Sequence, residues 1–331
     1  MSVFIVAELS ANHKQNLSLA KESLYAIKEC EADAVKLQTY TPEDLTIDCK
    51  SEIFKIKSSN KWSGKYLYDL YKEAFMPLEW HFELFTLARK LGLVCFSSAF
   101  SKSGVDLLES LDNPIYKIAS FEVLDLDLVS YIAMQKKPII LSSGIATDDE
   151  IKEALECIKS HGTSDITLLK CVSAYPAKTS EMNLREMIDF KGKFGVKYGL
   201  SDHSIGNLAG IIATSLGASV IEKHFIMNKS INSADAHFSL DSREFGEFVK
   251  AIRESEVALE GKSSDLKQGR EFARSLFVVR DIKKGEILTR QNIKSIRPNA
   301  GIQPRFLGEI LGKKAIKNLP FGKPLEWSDF T

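Results

Sequence analysis

Two triplets in the chain, Ser201-Asp202-His203 and Glu222-Lys223-His224, each set a histidine at the end of an apolar or β-leaning run, 196–200 and 218–221 respectively. Between them, residues 206–216 are small and apolar and read as a helix. The whole is a βαβ unit with one histidine at the carboxyl end of each strand, the end at which parallel α/β folds carry their chemistry. Two imidazoles from adjacent strand ends can share one divalent metal ion, with oxygen ligands or water filling the remaining positions. A single histidine so placed is better read as a satisfied core residue; two at matching positions favour the metal.

Other strand ends supply charges and hydroxyls. Lys36 and Gln38 share one face of a strand at 34–38, and Lys117 interrupts the apolar strand 115–120. Each lysine alone could be a structural ion pair. Together, with Ser97, Ser98, Ser120, Ser173 and Ser201, they make a cradle for a doubly anionic small molecule, because lysine is a point-charge partner for phosphate and hydroxyls complete the shell. Glu8 and Glu222 are candidates for a general base. Glu122 and Tyr175 fall at the same rim, Tyr175 with a core aromatic as the alternative reading.

The elements that would position these residues recur along the chain. Apolar strand-like runs near 3–7, 34–38, 93–98, 115–120, 138–142, 166–171, 196–200 and 218–221 alternate with helical patterns at 17–31, 78–91, 103–111, 124–134, 147–161, 181–190, 206–216 and 242–259. Ser103 and Thr147 are the expected N-caps. The strands are near-continuous apolar runs, as in strands covered on both faces, and eight strand–helix pairs predict a (β/α)8 TIM barrel over residues 1–261. Residues 39–75 interrupt the pattern as a long insertion, the kind of segment that is usually functional or mobile.

Past Gly261 the character changes. Residues 262–273 read as a polar linker, and 274–331 as a small, β-rich, loop-rich domain with strand-like pieces at 275–279 and 287–288 and a turn at 284–285. About sixty residues bury a marginal core, so such a module is expected to lean on a larger neighbour.

Composition narrows the partners. Of 331 residues 44% are hydrophobic and 27% charged, and 44 basic side chains balance 44 acidic ones. Zero net charge argues against nucleic acid and anionic membrane surfaces. Five scattered cysteines without a CxxC pair predict reduced core thiols and a cytoplasmic protein. The N-terminal MSVFIVAELSANH lacks the basic and long apolar regions of a signal peptide, and no apolar run reaches membrane-spanning length.

The ordered blocks IVAELSANH, VKLQT, YKIASFE, CVSAYP, SDHSIG and EKHF, followed by RSLFVVRDIKKGEILTRQNI and RPNAGI, resemble the N-acetylneuraminate (sialic acid) synthase family with its C-terminal antifreeze-like (SAF) domain. The resemblance spans nearly the whole chain. It implies condensation of phosphoenolpyruvate with an acylamino sugar, using a divalent metal, Mn2+ with Mg2+ or Co2+ as alternatives, held by His203 and His224. It further implies that Lys36, Ser98, Lys117, Ser120 and Ser201 contact phosphoenolpyruvate, and that Glu8 and Glu122 lie near the reacting centre. Arg297 is expected to reach from one subunit of a domain-exchanged homodimer to the acylamino group in the other. Three departures move the expectation within the family. Leu9, Ser10 and Ala11 stand where a glycine-containing motif is usual, Ser173 stands for an asparagine, and Asp235 sits in an Ala-Asp-Ala-His-Phe-Ser-Leu run. These features resemble the pseudaminic acid synthase branch, whose sugar is 2,4-diacetamido-2,4,6-trideoxy-L-altrose, with Asp235 contacting sugar hydroxyls or a metal-bound water. Sialic or legionaminic acid synthesis is the alternative with the same chemistry. A Schiff-base pyruvate aldolase using Lys117 as nucleophile and a non-catalytic carbohydrate-binding protein are the readings from other classes.

Overall fold

A computed structural model describes residues 2–57, 61–261 and 267–331. Eight parallel strands, β1 (Phe4–Glu8), β2 (Ala34–Thr39), β3 (Val94–Ala99), β4 (Tyr116–Ile118), β5 (Ile139–Ser142), β6 (Ile166–Cys171), β7 (Lys197–Asp202) and β8 (Val220–His224), close into a barrel in sequence order. Around it run α1 (Leu17–Glu29), α2 (Pro42–Leu45), α3 (Leu67–Ala74), α4 (His81–Leu91), α5 (Lys102–Ser110), α6 (Leu126–Ala133), α7 (Asp148–Ser160), α8 (Glu186–Phe194), α9 (Leu208–Ser215) and α10 (Ser242–Glu260).

Side chains alternate across each strand, so every second residue enters the barrel lumen. The lumen is plugged by Val6, Ala34, Phe96, Ile140, Leu169 and Val220, a cluster separate from the larger apolar layer between strands and helices. Two residues further along five of the strands the same face turns polar: Glu8 follows Val6, Lys36 follows Ala34, Ser98 follows Phe96, Ser142 follows Ile140, and Glu222 follows Val220. Strand pairing keeps these at one level, with Glu8 opposite both Lys36 and His224, Ser98 opposite Lys117, and Ser201 opposite Glu222. On β7 the lumen position below Ser201 is Gly199. A Cβ there would lie 2.1 Å from the Val220 carbonyl oxygen, so only glycine lets β7 and β8 approach as they do.

Element types follow the expectation; several boundaries do not. The histidine triplets do not follow their strands, since β7 extends through Asp202 and β8 through His224. The helix expected at 181–190 is a short 3-10 turn at Thr179–Glu181 with α8 starting only at Glu186. α5 is capped by Ser101, whose hydroxyl accepts from the Gly104 N–H, rather than by Ser103. Thr147 caps α7 as expected, in a reciprocal pair with Glu150. The 39–75 insertion carries α2, α3 and a 3-10 turn at Glu52–Phe54.

The chain divides into two compact units, Met1–Glu260 and Gly261–Thr331. Residues 262–266 of the expected linker lie outside the described residues, and a 3-10 turn at Arg270–Phe272 occupies part of the rest. In the second unit β9 (Ser275–Val278) pairs antiparallel with β10 (Ile293–Ile296), and a short α11 (Leu307–Ile310) follows. The piece expected at 287–288 is no strand: Ile287 makes a single bridge to Lys314, while Leu288 is buried in that unit's core. The turn at Gly285 has φ 86°. No helix among the described residues is long and apolar enough to cross a membrane. All five cysteines are free; Cys95 and Cys171 are buried, and Cys30, Cys49 and Cys157 are half-buried rather than core.

Candidate active site

The carboxyl ends of the strands open into a cavity of about 620 Å³. Of the residues singled out from sequence, Glu8, Lys36, Gln38, Lys117, Ser120, Glu122, Ser173, Tyr175, Ser201, His203, Glu222, His224 and Asp235 all line it. Ser98 does not; it is buried one layer down and accepts from Lys36 Nζ at 3.2 Å. Ser97 faces away from the lumen, bonded to Thr39 at 2.6 Å, as strand alternation requires. Arg297 lies in the second unit and is exposed.

Charge is concentrated at the floor. Lys36 Nζ meets Glu8 Oε2 at 2.6 Å and stands 3.7 Å from Glu222 Oε1, while Lys117 Nζ stands 4.0 Å from the same Glu222 oxygen. Lys117 also donates to Ser142 Oγ at 2.8 Å. Two buried cations thus face two buried carboxylates, an arrangement that burial tolerates only because each charge is paired. Burial drives the Glu8 carboxyl upward to about 7 against the opposing pull of Lys36. Glu222 is held below its ordinary value, because Lys117 and Lys36 together outweigh its burial. Lys117 is pushed down by burial, with Glu222 opposing. Glu122 has a buried carboxylate oxygen without a hydrogen-bond partner, and burial raises its pKa to about 7.

Hydroxyls and amides order the rest. Gln38 Nε2 donates to Glu8 Oε1 at 2.9 Å and to Ser10 Oγ at 3.0 Å, and Ser10 in turn donates to Asp235. Ser120 and Ser173 meet at 2.9 Å beneath Gly144. A Cβ on Gly144 would fall 2.1 Å from Ser120 Cβ and 2.7 Å from each of the two serine oxygens, and its φ is +37°. The glycine is therefore what permits the two hydroxyls to converge. Ser10 and Ser142 were not singled out from sequence. Strand alternation from Ile140 was the signal available for Ser142; for Ser10 it was the departure from a glycine-containing motif at 9–11, which pointed to the sugar without giving the residue a role.

The histidine rings are 5.3 Å apart, centre to centre, with Phe238 packed 4.7 Å from His224 and Tyr175 4.5 Å from His203. His203 Nδ1 lies 3.0 Å from the Val172 carbonyl, a contact that places the proton on Nδ1 and leaves Nε2 with its lone pair free. His224 Nδ1 is buried without a hydrogen-bond partner, and burial followed by the neighbouring His203 keeps the ring neutral. Asp235 Oδ2 lies 4.0 Å away. Burial works against charge on His203, but Cys171 and the Val172 carbonyl outweigh it and raise its pKa, so an ion would compete there with a proton on Nε2. An imidazole nitrogen with its lone pair unspent is the donor a divalent ion takes. Among the described residues no cluster of three or more His, Cys, Asp or Glu side chains is poised to enclose an ion. The donor set fits an ion held by two histidines, with its other positions left to water or substrate.

Residues 24–264 match the NeuB family, and residues 273–331 match the SAF domain. The chain is 55% identical over 330 residues to pseudaminic acid synthase of Helicobacter pylori, covering 98% of this chain and 97% of that one. It is 35% identical over 336 residues to N,N'-diacetyllegionaminic acid synthase of Legionella pneumophila, covering 99% and 94%. Among solved structures, the N-acetylneuraminic acid synthetase of Leptospira borgpetersenii superposes with TM-score 0.72 at 27% identity, covering 82% of this chain and 89% of that chain.

Proposed function

The chain belongs to the NeuB family, and from that premise we propose that it condenses phosphoenolpyruvate with 2,4-diacetamido-2,4,6-trideoxy-L-altrose, the reaction of a pseudaminic acid synthase. It is an enzyme of the nonulosonic acid synthase class. For the choice of sugar, the support is full-length identity of 55% to a pseudaminic acid synthase against 35% to a legionaminic acid synthase.

The observation that carries the chemistry is the pair of buried lysines flanking Glu222 on the cavity floor. Lys36 and Lys117 supply the positive charge that holds the phosphate and carboxylate of phosphoenolpyruvate, with Ser120, Ser173 and Ser201 as hydroxyl partners. Both amines are fixed by neighbours before substrate arrives, so little reorganisation is required as charge redistributes. C3 of phosphoenolpyruvate attacks C1 of the open-chain sugar. Water adds to the resulting cationic C2, and the tetrahedral carbon expels inorganic phosphate by breaking its C–O bond. Glu8 and Glu122, both poised near neutrality, are the groups able to take the proton from that water or supply one to the aldehyde oxygen. Asp235 and Gln38 face the sugar side, and Tyr175 and Phe238 hold the histidine rings in place.

His203 and His224 would hold a divalent ion, Mn2+ in first place, whose contribution when bound is Lewis-acid polarisation of the sugar aldehyde. Arg297 of the SAF domain is assigned to the acylamino group, delivered from one subunit of a domain-exchanged homodimer to the site of the other. Its planar, permanently charged donors suit an amide carbonyl. The protein acts in the cytoplasm.

The experiment is phosphate release from phosphoenolpyruvate with each of three acylamino aldehydes, of altrose, mannosamine and legionaminic type. Turnover confined to the altrose sugar is expected. Preference for N-acetylmannosamine would move the enzyme to the sialic acid branch.

A further inference from the structure

The cavity has a wall that the reaction itself does not use. α3 presents Leu67, Leu70, Tyr71 and Ala74, spaced i, i+3, i+4 and i+7, and all four line the cavity. An amphipathic helix ordinarily lays its apolar stripe on a protein core. Here Leu70 and Ala74 are buried, yet neither belongs to the apolar layer around the barrel. Leu45 and Ile56 continue the same surface. The stripe therefore faces ligand space, across from a floor of lysines, carboxylates and hydroxyls.

Such a division sorts a substrate by polarity. The anionic and reacting groups belong at the floor. A hydroxyl turned to the leucine side would leave water without gaining a hydrogen bond, whereas a methyl would leave water to its advantage. We propose that the apolar face of α3 is the specificity wall for the part of the sugar remote from its aldehyde, and that it takes the methyl of a 6-deoxy carbon together with an acylamino methyl in preference to a hydroxymethyl. The inference rests on the reading of this site as a synthase for a doubly acylated deoxy sugar, and adds which residues select that sugar.

The test compares the 6-deoxy sugar with its 6-hydroxy counterpart in two ways: turnover with phosphoenolpyruvate, and equilibrium binding of the two corresponding alditols, which lack the aldehyde and cannot react. The wild type should prefer the deoxy compound by about 10- to 200-fold in kcat/KM, the range one such group can supply in an apolar pocket. Leu70→Asn and the less buried Leu67→Asn should each cut that ratio to a few-fold while the KM for phosphoenolpyruvate stays within about twofold, a sign that the floor is intact. Leu70→Ala, which keeps the wall apolar, should retain most of the preference. Equal discrimination in wild type and both asparagine variants overturns the proposal, as does a wild type without preference, even where synthesis itself proceeds. If neither sugar is turned over, the reading of the reaction fails by itself. Alditol binding that favours the deoxy compound and loses that bias in Leu67→Asn then still upholds the wall, and binding without bias overturns it.

Discussion

Lys36 and Glu8 form an ion pair at 2.6 Å with 4% and 1% of their side chains exposed, at the point where β1 and β2 lie opposite each other. The pair already neutralises the charge that an anionic substrate would need. Binding of phosphoenolpyruvate must therefore share Lys36 between Glu8 and the incoming anion. Glu8 is held near 7 by burial, so added negative charge beside it should draw in a proton. Calorimetric titration at about pH 7.5 in buffers of different ionisation enthalpy should show net proton uptake on phosphoenolpyruvate binding, reduced in Glu8→Gln to the share that Glu122, also near 7, still takes up. Identical uptake in that variant would place the proton elsewhere.

Removing Lys36 should be far more costly than a surface lysine. Lys36→Met leaves Glu8 and Glu222 buried without their shared cation, a change worth about 3–5 kcal/mol where one member of a buried pair is deleted. Loss of phosphoenolpyruvate binding, accompanied by a lowered Tm that acid conditions partly restore by protonating the carboxylates, is the expected pattern.

Metal dependence is the third expectation. Chelator-treated enzyme should lose turnover and recover it with Mn2+. His203→Ala and His224→Ala should each lower the affinity for Mn2+, read directly by titration of the ion, with fold and Tm of the metal-free protein little changed, since both rings project into the cavity. Full activity of the metal-free double variant would remove the ion from the reaction.

Bond cleavage separates the synthase from the aldolase reading. Phosphoenolpyruvate carrying 18O in its bridging position should release the label with inorganic phosphate, because water adds to C2. The amine of Lys117, lowered in pKa by burial, is chemically able to attack a carbonyl, so the alternative is a real one. Borohydride should nevertheless leave activity intact, and pyruvate should not replace phosphoenolpyruvate. Covalent trapping at Lys117 would overturn the assigned mechanism.

Glu122 provides a pH signature. Its pKa rises from 4.5 unfolded to about 7 folded, so between those values the native state holds a proton that the unfolded chain has released. Stability from this group is present below about pH 4.5 and is lost as pH rises to about 7, at a cost on the order of 3 kcal/mol. Denaturant unfolding from pH 5 to 8 should show a gentler decline in Glu122→Gln than in wild type.

The sequence by itself determined the barrel and most of the site's membership. Period-two alternation along buried strands put Lys36 with Gln38, and Glu222 with His224, on one face, because side chains of a strand can only alternate. The composition change after Gly261 was equally plain. Boundaries were less so: the strands run on through Asp202 and His224, and the start of α8 was displaced, since caps and strand ends are settled by partners distant in the chain. Only the tertiary structure decided how charges are shared. Nothing local to Glu222 says that two lysines from β2 and β4 converge on it, or that this holds its carboxyl low while burial raises that of Glu8. Ser142 acquires its meaning from Lys117, and Gly144 from the two serines it lets meet. The stripe on α3 lies in an insertion for which no helix is expected, and whether it faces a core or a cavity depends on how that segment packs. That placement is a long-range packing outcome, and periodicity carries no information about what an apolar face will meet.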